Sequence, residues 1–175
     1  MRVPEITTER LLLRAFREDD FPVYQTMMAD PDVTRFLGDG RPLDAGEAWR
    51  QMAMFAGHWA LRGFGVWAAE ERATKRFVGR VGCFEPHGWP GFEIAYTFAR
   101  EAWGRGYATE GVRAALAHAH TVLGRTHVIS IIRPGNVRSV RVAEGLGARL
   151  DEEIPFFGGR ALRYVYPPPP AAGAR

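Results

Sequence analysis

The sequence predicts a single α/β domain, built as a mixed sheet with helices on both faces. Predicted strands and helices follow one another in the order β-α-α-β-β-β-α-β-α-β-β, which is typical of that architecture. A chain of 175 residues suits one domain with a full core. Hydrophobic residues make up 46% of the chain and charged residues 25%, as in ordinary globular proteins.

The N-terminal third predicts one strand and two helices. Residues 8–16, TERLLLRAF, are expected to form the first strand. Residues 17–30 form a helix with acidic residues near its start, where the helix dipole favours them, and Pro31 ends it. Residues 44–61 form a second helix with apolar residues at helical spacing, and Gly63 closes it.

Three strands are predicted in the middle of the chain. Residues 64–70 and 77–84 flank a polar turn and are expected to pair as a hairpin. Residues 92–98, FEIAYTF, form a fourth strand after a loop rich in glycine and proline. Cys83 is the only cysteine, so a disulfide within the chain is excluded, and we interpret it as a small core residue of the third strand.

The C-terminal half predicts two further strand and helix units and a hairpin. A long helix with one apolar face ends near Leu123, and a fifth strand covers residues 127–132. A short helix over 136–145 precedes a hairpin over 149–166. Residues 1–166 therefore form the domain, and 167–175, PPPPAAGAR, form a proline-rich tail without core-forming residues.

Composition excludes several classes of function. No apolar run is long enough to span a bilayer, and the N-terminal residues lack the apolar stretch of a secretory signal, so we expect a cytoplasmic protein with no membrane partner. The formal charge is +3, but the basic residues are scattered along the chain. Nucleic acid is therefore not an expected partner.

A glycine-rich turn carries the strongest chemical signal. The fourth strand leads into residues 103–110, WGRGYATE, which open the long helix. Gly104 and Gly106 have no Cβ, so an anion can approach the backbone, and the free N–H groups of the first helical turn point at one place. The helix dipole and Arg105 or Arg100 add positive charge, which predicts a diphosphate site. Taken alone, the pattern also fits a tight turn that binds nothing.

A second strand-to-helix unit follows the first directly. Asn136 is placed to cap the short helix, with Ser139 at its third position. If the two units lie side by side, both helix N-termini reach the same sheet edge, and the ligand between them is long, with a diphosphate at one end. Helix capping by itself also accounts for Asn136.

Together these motifs resemble the GNAT superfamily of N-acetyltransferases, and most closely its ribosomal-protein N-terminal acetyltransferase-like branch. The resemblance covers almost the whole chain. Its elements are TERLLLR at 8–14, GRVG at 79–82, EIAY at 93–96, WGRGYATE at 103–110, NxxS at 136–139 and Gly147-Ala148.

The resemblance implies direct transfer of an acetyl group from acetyl-CoA to an amine, without a metal. It also implies a mostly antiparallel mixed sheet in which the fourth and fifth strands splay apart. The pantetheine arm is expected to pair with the backbone of the fourth strand like an added strand. The implied cofactor-binding residues are Tyr96, Thr97, Phe98, Gly104, Arg105, Gly106, Tyr107, Ala108, Thr109 and Asn136.

The implied catalytic groups are a base and a proton donor. Glu93 and Glu85 flank the loop before the turn and are candidates for the base, directly or through water, with His87 as a further option. A structural, paired Glu93 and a solvated Glu85 are the alternatives. Many superfamily members place a tyrosine acid where this chain has Ala143, so the resemblance implies Ser139 as the donor instead.

The acceptor is left open by the sequence. The branch includes enzymes that act on protein N-termini, aminoglycosides and small amines, and acceptor contacts are expected from residues 17–61 and 85–91. A homodimer is compatible with the resemblance. A catalytically inactive domain that senses acyl-CoA is the alternative function, whereas a nucleotide-binding phosphate loop is disfavoured because the turn has no lysine.

Overall fold

A computed structural model describes residues 3–169, so the end of the predicted tail, 170–175, and residues 1–2 lie outside the described residues. Within this range the chain forms a single eight-stranded sheet and five α-helices. The strands are β1 Ile6–Thr7, β2 Leu11–Arg14, β3 Val66–Glu71, β4 Arg76–Phe84, β5 Glu93–Phe98, β6 Ile129–Ile132, β7 Arg149–Phe156 and β8 Gly159–Val165. The helices are α1 Phe21–Ala29, α2 Pro31–Thr34, α3 Ala45–Arg62, α4 Tyr107–Thr121 and α5 Val137–Gly145.

The sheet has the strand order β1-β2-β3-β4-β5-β6-β8-β7. Every neighbouring pair is antiparallel except β5 and β6, which are parallel. These two strands share a single register pair, Glu93 with Ile129, and then diverge. The predicted fold class, including the splay between the fourth and fifth predicted strands, is confirmed.

Helices cover both faces of the sheet, as predicted. Alternate residues of the central strands, such as Val81 and Ile94, pack against the apolar face of α4. On the opposite face a second cluster joins α1 and α3 to the sheet through residues such as Tyr24 and Phe77. Cys83 is fully buried in the first of these clusters, in keeping with the core role expected for it.

The strand predicted over 8–16 is present but shorter, because β2 covers only Leu11–Arg14, and the sequence did not predict the short strand β1 before it. Thr8 follows β1, and its backbone N–H and its hydroxyl both donate to the carbonyl of Leu11, at 2.9 and 3.0 Å. This tight turn reverses the chain, so that β1 pairs antiparallel with β2. It also turns the side chains of Thr8 and Arg10 towards α4.

Pro31 follows the end of one helix and begins a second, short helix that the sequence did not predict. Helix α1 ends at Ala29, as expected before a proline, but Pro31 is then the first residue of α2. Asp30 caps this short helix because its carboxylate accepts the N–H of Asp32 at 2.9 Å. Proline suits the first helical position, where no N–H donor is needed.

A buried ion-pair network ties the start of α1 to the sheet. Arg14, on β2, is 3% exposed. Its guanidinium donates to both carboxylate oxygens of Asp20 and to Glu70 on β3, each at 2.7 Å. Asp20 also accepts the backbone N–H of Arg17 at 2.8 Å. Burial of these charges is tolerated because each has an opposite charge in contact.

Removing the central cation of this network should destabilise the fold. In Arg14→Met, Asp20 and Glu70 stay buried without a cation, and the free energy of unfolding should fall by about 3–5 kcal/mol. Arg17→Met is the matched control, since Arg17 is exposed and lies 3.6 Å from Glu70, and it should cost less than about 1 kcal/mol. Urea unfolding measures both. Equal losses in the two variants would contradict the network's role.

Candidate active site

A groove of about 640 Å³ opens beside the C-terminal end of β5, between the N-termini of α4 and α5. Parts of α2 and the loop after it form the opposite wall. Nearly all the cofactor-binding residues implied by the resemblance meet there. They are Tyr96, Thr97, Phe98, Gly104, Gly106, Tyr107, Ala108, Thr109 and Asn136, and Ser139 joins them.

The N-terminus of α4 faces this groove without a side-chain cap. Gly106 occupies the cap position with φ +80°, and no side chain accepts the first amide groups of the helix. The N–H groups of Tyr107, Ala108 and Thr109 precede the first intrahelical bond, which Glu110 donates to Gly106 at 3.1 Å. Uncapped amides and the helix dipole make this an anion site.

The two glycines of the turn have different roles. Gly104 has φ +74°, and a Cβ built there would meet nothing within 4 Å, so its side is open to a ligand. A Cβ on Gly106 would lie 3.1 Å from the guanidinium of Arg10. Arg10 in turn donates to the carbonyl of Arg105 at 2.6 Å and to Glu110 at 2.7 Å. The TERLLLR segment therefore holds the glycine turn in place through Arg10, which does not line the groove.

Uncompensated positive charge surrounds the groove. Arg35, Arg138 and Arg141 line it, and none of them forms an ion pair with a described carboxylate. Arg138 lies 3.9 Å above the ring of Trp103. The side chain of Arg105 does not line the groove, because it pairs with Glu71 at 2.6 Å. The arginine side chains that line the groove are therefore not the one in the turn.

Asn136 and Ser139 are arranged as the capping pattern predicts. The side-chain oxygen of Asn136 accepts the backbone N–H of Ser139 at 3.3 Å. The hydroxyl of Tyr96 donates to the carbonyl of Ser139, also at 3.3 Å. Burial raises the pKa of the Tyr96 hydroxyl. A second hydroxyl therefore lies beside Ser139, which sequence reasoning missed because it considered only the backbone of Tyr96.

Glu93 lies at the vertex where β5 and β6 separate. It is 6% exposed and does not line the groove. Its carboxylate accepts the indole N–H of Trp89 at 2.7 Å and the backbone N–H of Ile131 at 3.2 Å. Burial raises the pKa of Glu93 to about 7, although these two hydrogen bonds and the charge of Arg80 lower it. A carboxyl group with that pKa can exchange a proton near neutral pH.

The other two candidates for the base lie elsewhere. Glu85 does not line the groove, and its carboxylate lies 3.5 Å from Arg62 and 3.6 Å from Arg125. His87 is exposed on the following loop. Burial raises the pKa of the Cys83 thiol to about 12, so a thiolate at this position is disfavoured.

Comparison with known proteins identifies the family. A family model described as acetyltransferase (GNAT) domain matches residues 10–149. The chain belongs to the GNAT acetyltransferase family. The uncharacterized protein YkkB of Bacillus subtilis is 32% identical, over 86% of this chain and 88% of that protein.

Solved structures of GNAT acetyltransferases have the same fold. An acetyltransferase from Agrobacterium tumefaciens is 31% identical with a TM-score of 0.85, and the match covers 95% of each chain. A GNAT-family acetyltransferase from Bordetella pertussis is 27% identical with a TM-score of 0.78, over 94% of this chain and 99% of that chain. The protein is an N-acetyltransferase that uses acetyl-CoA.

The residues of this GNAT chain fit acetyl-CoA. The diphosphate suits the uncapped amides of α4 and the open side of Gly104. The edge of β5 over residues 96–98 has no ladder partner in β6, so its backbone can pair with an extended pantetheine arm. Among residues 3–169, no group of three or more His, Cys, Asp or Glu side chains could hold a metal, and no helix could cross a bilayer.

A valine at Gly106 should weaken cofactor binding. The positive φ disfavours valine, and its side chain would displace Arg10, so the α4 amides should move and CoA affinity should fall at least about tenfold. Gly124→Val is the matched control, because Gly124 has φ +63° and open surroundings at the other end of α4. Calorimetry with CoA measures both. Unchanged affinity in a folded Gly106→Val protein would remove the turn from the cofactor site.

Proposed function

We propose that this N-acetyltransferase transfers the acetyl group directly to a primary amine that approaches β5 from the side of α1 and α3. The single observation that carries the proposal is the early separation of β5 and β6, which leaves the backbone of residues 96–98 open along the groove. The thioester, when bound, supplies the acetyl group and a thiol leaving group. The chain's own residues must then orient both reactants, accept a proton from the amine and donate a proton to the departing thiolate.

Glu93 is the proposed base, acting directly or through a water molecule. It lies on the sheet face that carries α1 and α3, because Glu93, Ala95 and Thr97 alternate with residues that pack on α4. The pKa of about 7 lets the carboxylate accept a proton from the attacking amine near neutral pH. Glu85, held beside Arg62 and Arg125 outside the groove, has less support.

Ser139 is the proposed proton donor to the departing thiol, and it lines the groove one helical turn beyond Asn136. The hydroxyl of Tyr96 is the alternative, because it lies against the carbonyl of Ser139. Both residues belong to the walls of the gap between β5 and α5.

The direct test of this function is a thiol-release assay with acetyl-CoA and a panel of amines. The panel contains peptides with a free N-terminus, amino acids, polyamines and aminoglycosides. We expect release of CoA above the rate without acceptor, with the acetylated amine identified by mass spectrometry. A protein that binds CoA in calorimetry but releases none with any amine would contradict the proposal.

The pH dependence of the rate should follow Glu93. Because the ionised carboxylate is the active form, kcat/KM should rise with pH through about 7 and then level off. In Glu93→Gln this rise should disappear and the rate should fall by about 10²–10⁴.

Trp89→Phe is a control variant in which the pKa of Glu93 should change while the carboxylate is kept. It removes a hydrogen bond that lowers the pKa of Glu93, so the rise should move to higher pH while the plateau is retained. A profile that is identical in the wild type, Glu93→Gln and Trp89→Phe would move the role of base to water or to Glu85.

Single-hydroxyl deletions should identify the proton donor. Ser139→Ala should lower the turnover number about tenfold or more at saturating substrates if thiol departure limits the rate. Its thermal midpoint should hardly change, since the backbone N–H that Asn136 accepts is kept. The turnover number and thermal midpoint of Tyr96→Phe are measured in parallel under the same conditions. Full turnover in Ser139→Ala with a loss in Tyr96→Phe would transfer the role to Tyr96.

A further inference from the structure

Arg80, in the GRVG segment of β4, is a buried cation that lacks an ion pair. It is 6% exposed, its Nε has no hydrogen-bond partner, and none of the carboxylates among residues 3–169 pairs with it. Arg14, the other deeply buried arginine of the sheet, is bound by both Asp20 and Glu70. Arg80 interacts with the charge of Glu93 only at a distance, and a buried cation without a carboxylate in contact is costly.

Thr97 lies directly opposite Arg80 and is also unsatisfied. The two residues are register partners across β4 and β5, so their side chains share one sheet face. The hydroxyl of Thr97 is buried without a hydrogen-bond partner, and Thr97 lines the groove. Two adjacent unused polar groups, one of them cationic, form a place for an anionic group that comes from outside the chain.

The aromatic ring of Phe55, on α3, supports the guanidinium of Arg80 at 4.5 Å. This contact holds the planar group in place, and the Tyr24 hydroxyl accepts a hydrogen bond from the guanidinium. The ring face accepts only the charge, so the Nε–H donor stays unused. The free Nε–H can donate a charge-assisted hydrogen bond to a carboxylate. The arrangement is therefore suited to an anion.

Glu93 lies further along the same face, and the proposed amine site lies between the two charges. Ala95 is the residue midway between Glu93 and Thr97, about 7 Å of strand from each. It is only half-buried, so a small molecule can reach this part of the sheet. An amine above Ala95 would have the carboxylate of Glu93 on one side and the cation of Arg80 on the other.

We infer that Arg80 is a specificity-determining residue that binds a carboxylate of the acceptor, so that the acceptor is a small amine carrying a carboxylate group. This inference rests on the proposed function, since it names the substrate class of the same site. Polyamines and aminoglycosides bring only positive charge towards an uncompensated arginine, and they should be poor acceptors.

Pairs of acceptors that differ only in the carboxylate test the inference on the wild-type protein. The first result therefore does not depend on whether a variant folds. The probes are the twenty common amino acids and their α-carboxamides, with spermidine and kanamycin as polycations, in the thiol-release assay. We expect kcat/KM for the reactive amino acids to exceed that for their amides by about tenfold to a hundredfold. Both polycations should react more slowly than the amino acids.

Variants then assign this preference to Arg80. In Arg80→Gln, the ratio of kcat/KM for the carboxylate acceptors to that for the amides should fall to about one. The ratio is measured well above pH 7, because loss of the Arg80 charge raises the pKa of Glu93 and slows all acceptors near neutral pH. Arg80→Lys should keep part of the preference, and Arg113→Gln, an exposed arginine on α4, should keep all of it. CoA affinity measured by calorimetry shows that each variant is folded.

The outcomes separate the inference from the proposed function. If amines are acetylated but acids and amides react equally, or if the polycations are the better acceptors, Arg80 has no such role and the proposed function still holds. If the preference survives in Arg80→Gln, another residue carries it and the inference is wrong. If no amine of any class releases CoA, the proposed function fails, and the inference fails with it.

Discussion

β5 and β6 pair only between Glu93 and Ile129, and the rest of the site depends on this early divergence. Beyond this pair, side chains form hydrogen bonds with backbone groups that would pair with each other if the two strands stayed adjacent. The hydroxyl of Ser130 donates to the carbonyl of Ile94 at 2.8 Å, and the carboxylate of Glu93 accepts the N–H of Ile131 at 3.2 Å. The strands can therefore separate without leaving buried backbone groups unpaired. Glu93 thus supports the gap in which it is proposed to act.

Both backbone groups and side chains of the groove are available to an anionic ligand. Uncapped amides of α4 offer donors in a fixed geometry, while three arginines around the groove add charge that salt can screen. Arg10 and Glu110 hold the turn from outside the groove. This explains why β1 and β2 are separated by a tight turn: a continuous strand would keep Thr8 and Arg10 away from α4.

Two buried arginines show how the same side chain can serve stability or recognition. Arg14 is neutralised by two carboxylates and connects α1 to the sheet. Arg80 is stacked on Phe55 but has no carboxylate partner within the described chain. The difference lies in what surrounds each guanidinium: Arg14 belongs to a structural ion-pair network, and Arg80 is proposed to bind an anion.

By itself, the sequence determined the longer helices and strands, the glycine turn and the Asn136 cap, because these are encoded by neighbouring residues and by short periodicities. The acetyltransferase family came from the resemblance that the sequence motifs carry together. The sequence did not determine the turn between β1 and β2, where Thr8 and Arg10 contact Glu110, about a hundred residues away in the sequence. Only the tertiary structure showed that Glu93 is buried at the strand vertex while Glu85 is paired outside the groove. The position of the Tyr96 hydroxyl and the lack of an ion pair at Arg80 also depend on packing. Burial and contacts are set by residues that are distant in the chain, and local spacing does not reveal them.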